Sequence, residues 1–497
     1  MKKSRRKTLL LFLISGICLG LLLLFIFKNS LANWYVERQL LKIENLAYGD
    51  LQVKLQEGEV LLYDLSYHSP LENISINADK VHLKGIKLYK LFTKNLIDLD
   101  SLQLNRLQIS YLDRKTDKPK KELNPWKLKI AYFELKEAQA DLIMDGTNSS
   151  VSQLNLWVKE LAVEPFNKES FFKYGDFELQ VATAELNNVA TQMELNQLYV
   201  DSKKSLKIAE VEVKTIKKTL RRTSNLTAYF KNISSNYDVD SLIQKQRFYS
   251  NSVNLDSFYI YSNVQRYKDS TTADLPKMIN QMIEKSPGIQ YIKELTFQNG
   301  FIEYEGYNEM EDKHVALDFK KIKGNVVNLG QGSQEHPFAK VNFSFDFAEV
   351  LHIQGNISYD LISKNEAHRI TGKINPFETT VLNPLMKIIA PLEFKSGSVH
   401  YFYFDMDLNQ DKAQSKVDLR YEDLKLSNLK NEKGETLKGA AIFLANKLVV
   451  RTNNPRGDKL ILGNANCKRD EEMSIFYYWW RALYSGFEDV IVHKKSL

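Results

Sequence analysis

Residues 96–111 read LIDLDSLQLNRLQISY. Ile97 and Leu99, then Leu102 and Leu104, then Leu107, Ile109 and Tyr111 stand two residues apart, with Asp98, Gln103, Gln108 and Ser110 between them. Side chains of an extended chain point alternately to opposite faces, so this beat predicts strands with one apolar and one wet face. Toward the N-terminus the beat recurs at Leu51, Val53 and Leu55, at Ile74 and Ile76, and at Val81 and Leu83. Toward the C-terminus it runs through LNLWVKELAVE (154–164), ATQMELNQLYV (190–200) and SLKIAEVEVK (205–214). It then returns in Phe301–Tyr304, Val341–Phe347, Val399–Leu408, Val417–Leu426 and Ala441–Val450. Polar breaks such as Tyr48-Gly49-Asp50 and Asn299-Gly300 read as turns between strands. A spacing of about 8 to 14 residues fits an antiparallel meander and leaves no room for repeated βαβ crossovers. The fold class expected is mainly β, with few helices. Leu275, Met278, Ile279, Met282 and Ile283 have helical spacing between Pro276 and Pro287-Gly288, and Leu382, Leu385, Ile388 and Ile389 form a second candidate before Pro391. The third, Ser474 to Val492, carries Ile475, Tyr478, Trp479, Leu483 and Phe487 as a broad aromatic face.

The chain has 497 residues, 43% of them hydrophobic and 26% charged, enough to bury a sizeable core. Its net charge of +7 comes largely from Lys2, Lys3, Arg5, Arg6 and Lys7, which leaves the remainder nearly balanced and ill suited to nucleic acid. Of the two cysteines, Cys18 lies in an apolar run and Cys467 near the far end. No disulfide framework is expected, as in a bacterial periplasm or a reducing compartment.

That run, Leu9 to Phe27 (LLLFLISGICLGLLLLFIF), is free of charge and as a helix spans about 28 Å, close to the thickness of a bilayer core. The cations before it place the N-terminus in the cytoplasm and the body outside. Ser30 and Ala32 also fit a signal-peptide cleavage site, but a signal h-region is usually shorter, and Lys28 closes this run. Gly16 and Gly20 have the spacing of helix-dimer contacts, a pattern frequent by chance in Leu-rich spans. Trp34 to Ile43 is expected to prolong the helix. The basic stretch Leu112 to Pro125 reads as an exposed loop or a boundary.

Signs of catalysis are missing from the sequence, so no enzyme, metal or cofactor is expected. The eight histidines are scattered, and no phosphate-cradling loop, nucleophile elbow or zinc-protease helix occurs. Asp405, Asp407, Asn409 and Asp411 approach a calcium loop, but Gln410 and Lys416 replace its glycine and its bidentate glutamate. Arg456-Gly457-Asp458 reads as a tight turn after Pro455. Two stretches depart from a plain sheet. Tyr401-Phe402-Tyr403-Phe404 is aromatic on both faces, and Phe343, Phe345 and Phe347 line one face. Either they form a sandwich core or they line a curled trough that meets an apolar ligand.

Both ends of the chain resemble a known group. LAYGDLQVKLQEGEVLLYDLSY (46–67) and ADKVHLKGIKLYKLFTKNLIDLDSLQLNRLQISYL (78–112) follow the anchor. NPFETTVLNPLMKIIAPLEFKSGSVHYFYFDMDL (375–408), VDLRYEDLKLSNL (417–429) and the tail CKRDEEMSIFYYWWRALYSGF (467–487) stand toward the other end. These patterns look like the AsmA-like envelope proteins, relatives of TamB and of the bridge-like (chorein-type) lipid-transfer proteins. The resemblance implies an elongated, curled antiparallel sheet with an apolar groove, held at the inner membrane by a single pass, with its body in the periplasm. It implies phospholipid binding and a part in lipid transfer or outer-membrane homeostasis, with phospholipid, the inner membrane and other envelope proteins as partners. The rival reading is a non-catalytic scaffold for envelope assembly. The expected division is a cytoplasmic stub and anchor (1–28), an N-terminal β region (29–123), a middle β-groove region (124–274) and a C-terminal β region with the tail helix (275–497). Leu102, Leu104, Phe343, Phe345, Phe347, Phe402 and Phe404 are the groove candidates, and Leu9, Gly16, Gly20 and Phe27 belong to the anchor. Phe476, Trp479 and Trp480 are candidates for contact with a membrane or partner, the alternative for their helix being a cap on the sheet.

Overall fold

The computed structural model describes residues 28–69, 73–87, 90, 96–113, 127–163, 172–218, 222–245, 247–266, 277–284, 289–308, 313–330, 335–383, 392–428, 449–471 and 474–493. The anchor residues Leu9, Gly16, Gly20 and Phe27 lie outside them, as do most of the basic stretch 112–125, most of the helix candidate before Pro391 and residues 441–448. Among the described residues no helix is long and apolar enough to cross a membrane. The chain is mainly strand and divides into two compact units. The division falls at Ala190–Lys203, inside the stretch expected to form one middle region.

The first unit starts with helical residues 28–40 (α1). It continues with β1 (Asp50–Lys54), β2 (Glu59–Ser69), β3 (Ile74–Lys84), β4 (Leu96–Asn105), β5 (Gln108–Leu112), β6 (Lys127–Met144), β7 (Thr147–Val163), β8 (Phe177–Asn187) and β9 (Thr191–Asp201). β1 to β4 pair antiparallel in chain order. β4 and β5 act as one strand broken at Arg106, for both lie between β3 and β6. The second unit holds β10 (Ser205–Lys218), β11 (Arg222–Tyr237), α2 (Val239–Lys245), β12 (Phe248–Arg266), α3 (Ile279–Glu284), β13 (Ile289–Asn308) and β14 (Lys313–Gly330). It goes on with β15 (Phe338–Phe347), β16 (Leu351–Asp360), β17 (His368–Ile374), β18 (Leu392–Leu408), β19 (Lys412–Asn428), β20 (Gly463–Lys468) and α4 (Ile475–Ile491).

The meander is not antiparallel throughout. β4 and β5 meet β6 in parallel, and β12 meets β13 in parallel. Parallel neighbours require a crossover of roughly a dozen residues or more. The chain supplies one at 113–126 and another at 267–288, which contains α3.

Asn299-Gly300 is no turn either. It lies within β13, where Asn299 has φ 50° and the register to β14 shifts between Phe297 and Gly300. Tyr48-Gly49-Asp50 is likewise a break within an edge, since Leu46-Ala47 and β1 both pair with β2. A β-bulge inserts one residue, bends the strand and reverses the parity of the side chains that follow. Parity reverses at Glu137 in β6, Gln153 in β7, Asn232 in β11 and Lys321 in β14, all with positive φ. In β13 the apolar face passes from Leu295 and Phe297 to Gly300, Ile302 and Tyr304. In β14 it passes from Leu317 and Phe319 to Ile322 and Gly324. A side chain near each bulge ties it to its neighbours. Asp256 accepts from Asn232 Nδ2 (3.2 Å) and Gln298 Nε2 (2.7 Å), and its backbone carbonyl accepts from Asn299 Nδ2 (3.2 Å).

Glycines opposite phenylalanines flatten the apolar face. Phe258 lies over Gly300, Phe297 over Gly324, Phe343 over Gly355 and Phe404 over Gly372. A Cβ at Gly372 would stand 2.4 Å from Phe404 Cζ and 2.8 Å from the Gln354 carbonyl, and that carbonyl is fixed in the ladder. G372A is therefore expected to cost about 1–3 kcal/mol through overpacking, read as a lower urea midpoint at unchanged slope.

Candidate functional site

Register turns the alternation into rows that cross the strands. In the first unit Val53, Val60, Leu83, Leu102, Phe133, Val158 and Phe177 are successive cross-strand partners from β1 to β8. A second row beside it joins Leu51, Leu62, Val81, Leu104, Leu135, Leu156 and Leu179. Leu102 and Leu104 thus belong to adjacent rows, half-buried against Leu62, Ala78 and Val81.

In the second unit one row runs Ile208, Ile233, Leu255, Phe297, Gly324, Phe343, Gly355, Gly372, Phe404 and Val417. Another runs Val213, Ala228, Ile260, Ile302, Phe319, Phe347 and Leu351. Phe345 continues through Ile353 and Ile374 to Phe402. Phe343, Phe345, Phe347, Phe402 and Phe404 therefore share one face. The large side chains of these rows from β10 to β15 are mostly half-buried, neither sealed nor fully wet. The opposite face is polar and aromatic. Tyr259 and Tyr261 donate to Glu303 (2.8 Å) and Glu305 (2.6 Å), and the Glu303 hydrogen bond, with burial second, pushes the Tyr259 phenol up to about 12. A cleft of about 660 Å³ on that polar face is lined by Lys323, Asn342, His352, Gln354, Lys373 and Tyr403 among others.

At β17 to β20 the same apolar face is closed. Ser474 caps α4, its hydroxyl accepting from Tyr477 N–H, and Tyr478, Ala482 and Val490 bury onto Phe402, Phe404, Met406, Leu408, Val417 and Leu419. Phe487 stacks on Phe402 at 6.1 Å. Gly463 and Gly486 let strand and helix backbones touch, since a Cβ at Gly463 would stand 2.1 Å from the Gly486 carbonyl. Phe402 and Phe404, 6% and 4% exposed, are therefore covered by the tail helix and are not an open surface. Of the tail aromatics proposed for outside contact, Phe476 is 71% exposed, Trp479 and Trp480 are both half-buried, and Trp479 packs against the covered core.

Trp479 also completes a buried polar network that the sequence did not announce. Its indole N–H donates to His368 Nε2 (2.9 Å), His368 Nδ1 meets the Glu366 carbonyl (2.7 Å), and the ring stacks on Tyr359. Tyr359 donates to the Glu366 carboxylate, which also accepts from the Asn280 and Gln281 N–H groups at the start of α3 (3.1 and 3.3 Å). Asn280 Nδ2 closes onto the Asp360 carbonyl at 2.9 Å, and Met278 beside it is fully buried. The crossover helix, the β16–β17 hairpin and the tail helix are thus joined through a few side chains. Among the described residues no group of His, Cys, Asp and Glu could hold a metal ion.

No protein-family model matches the chain, and no curated protein is significantly similar to it.

Burial pushes the His368 imidazole down to about 4. The folded chain therefore holds this ring neutral while the unfolded chain protonates it below about 6.5. The resulting stability is complete above about pH 6.5 and is lost as pH falls toward 4, by up to about 3 kcal/mol. Urea unfolding at pH 7.5 and 4.5 should show a smaller acid loss for H368Q than for the native chain. Equal acid losses would mean that His368 does not carry it.

Proposed function

We propose that this chain is a membrane-anchored envelope protein of the AsmA-like kind, which binds phospholipid acyl chains along its apolar rows and assists lipid transfer or outer-membrane homeostasis. The observation that carries the reading is the continuity of apolar side chains from strand to strand within each unit, mostly half-buried from β10 to β15, on a face whose reverse is largely polar. An acyl chain of roughly 16 carbons costs on the order of 12 kcal/mol to hold in water, at about 0.8 kcal/mol per methylene. A row that offers the same chemistry at every strand removes much of that cost at each position without demanding a deep, shaped cavity. Headgroups stay at the open margin in water. The Leu9–Phe27 stretch would hold the body at the inner membrane, with the rows in the periplasm.

The sealed layer of α4 over β17 to β20 favours a second, structural reading, in which the chain is a non-catalytic scaffold for other envelope proteins. The two differ in whether lipid touches the rows. A photoreactive benzophenone side chain placed at Phe343 or Ile302 of the full chain in its native membrane should yield phospholipid adducts by mass spectrometry, while one at Tyr259, on the reverse face, should not. I260D, which sets a charge in the row next to Ile302, should lower the Ile302 adduct several-fold. Equal adducts from both faces, or none, would leave the scaffold reading.

A further inference from the structure

α1 has two faces of different use. At 3.6 residues per turn, Asn29, Asn33, Val36 and Leu40 fall on one side, and Leu31, Trp34, Tyr35 and Arg38 on the other. The first side is tied to the sheet. Asn29 Oδ1 accepts from Leu55 N–H (3.1 Å), Asn33 Oδ1 accepts from Val53 N–H, and Leu40 packs against Leu62, Ala78 and Val81. The asparagines thereby satisfy backbone donors on the outer edge of β1, which among the described residues pairs with β2 alone, on its inner edge.

The second side is left bare. Leu31 is 48% exposed, Trp34 56% and Tyr35 54%, and Leu41, directly after the helix, 73%. The Arg38 guanidinium sits 5.5 Å above the Trp34 ring, and Lys42 follows on the same flank. Tryptophan and tyrosine beside arginine and lysine suit the headgroup layer of a bilayer, where rings bury their bodies and cations stay wet. The occupant follows from the chain itself, since the apolar stretch Leu9–Phe27 ends directly before α1.

Rise per residue then fixes the direction. Along a helix standing upright on the bilayer, Leu41 would lie about 20 Å past Phe27, beyond a headgroup layer only about 5–8 Å deep. Leu31, Trp34, Tyr35 and Leu41 reach that layer together only when α1 runs along the surface. We propose that α1 lies on the phospholipid bilayer with this aromatic face down, so that the edge of the first unit's sheet, where the Val53 and Leu51 rows begin, rests at headgroup level. This rests on the anchored reading given above and adds to it how the apolar rows meet the membrane.

The full chain reconstituted in phosphatidylcholine and phosphatidylglycerol vesicles tests it. The emission of Trp34 is the difference between the native chain and W34F, a change at an exposed position. Phospholipid brominated near the headgroup end of its acyl chains should quench most of that difference, and aqueous iodide should quench little of it. Emission quenched by iodide and not by bromolipid would overturn the inference, as would emission shielded from both, which means that a protein covers the face. Vesicle flotation keeps the failures apart. A chain that does not float defeats the anchor and this inference together, whereas a floating chain with iodide-exposed Trp34 defeats only the inference. Photoadducts at Phe343 report on the rows independently of either.

Discussion

Everything in this chain depends on keeping one side-chain parity facing one way across strands as long as Ile289–Asn308. Strands of that length twist, and neighbours that slip by one residue exchange their faces. The bulges are the answer to this constraint. Each adds a residue, bends its strand and reverses parity, and because neighbouring strands reverse together the rows continue across the seam. Asn232, Asn299 and Lys321 accept the left-handed backbone, and hydrogen bonds from Gln298 and Asn232 lower the Asp256 carboxyl from its ordinary value. Placed on the polar face, these groups leave the apolar rows untouched.

The same face meets two fates within the second unit. From β10 to β15 its large side chains are mostly half-exposed. From β17 onward α4 supplies the second layer, and Phe394, Val417, Leu419 and Tyr478 become fully buried. The helix carries its own small residues, Ala482 and Gly486, where it crosses closest, so the distance between the layers is set by backbone contact. Polar side chains staple the margin of this closed layer. Asn454, wholly buried, donates to the Leu419 and Ile461 carbonyls and accepts from Ile461 N–H. Glu366 holds the start of α3 while His368 receives Trp479. Each of these groups has partners in hand, which is what allows it to sit dry.

The two-residue beat was legible, and with it the β class and the apolar face that carries Leu102, Leu104 and the phenylalanines; helical spacing marked the tail helix, but not that it would cover Phe402 and Phe404. The bulges were not. An extra residue interrupts the alternation just as a turn does, and Asn299-Gly300 is also common turn chemistry, so two halves of one strand read as two strands. The parallel neighbours were hidden for a different reason, since pairing direction depends on where a crossover lands and not on the strand's own composition. Helical spacing marked Met278, Ile279 and Met282, but nothing local said that Asn280 would meet Glu366 far along the chain. The aromatic face of the tail helix reads equally as a cap and as a contact surface, and nothing local pairs Trp479 with His368, which stands isolated in the sequence.

Under the lipid reading, the arrangement of phenylalanine over glycine has a mechanical consequence. A phenylalanine that stood upright on the sheet would divide a row into compartments, and an acyl chain would have to climb past each ring. Lying over Gly300, Gly324 and Gly355, the rings fill the space above residues that have no side chain and become part of the floor. Contact with hydrocarbon then changes little from one strand to the next, and small differences in contact mean low barriers to sliding. Affinity and mobility, which a shaped pocket sets against each other, are compatible on such a surface because its attraction is nondirectional and repeated. The closing layer of α4 gives the row a definite end, since the aromatic side chains that cover Phe402 and Phe404 occupy the place that hydrocarbon would take.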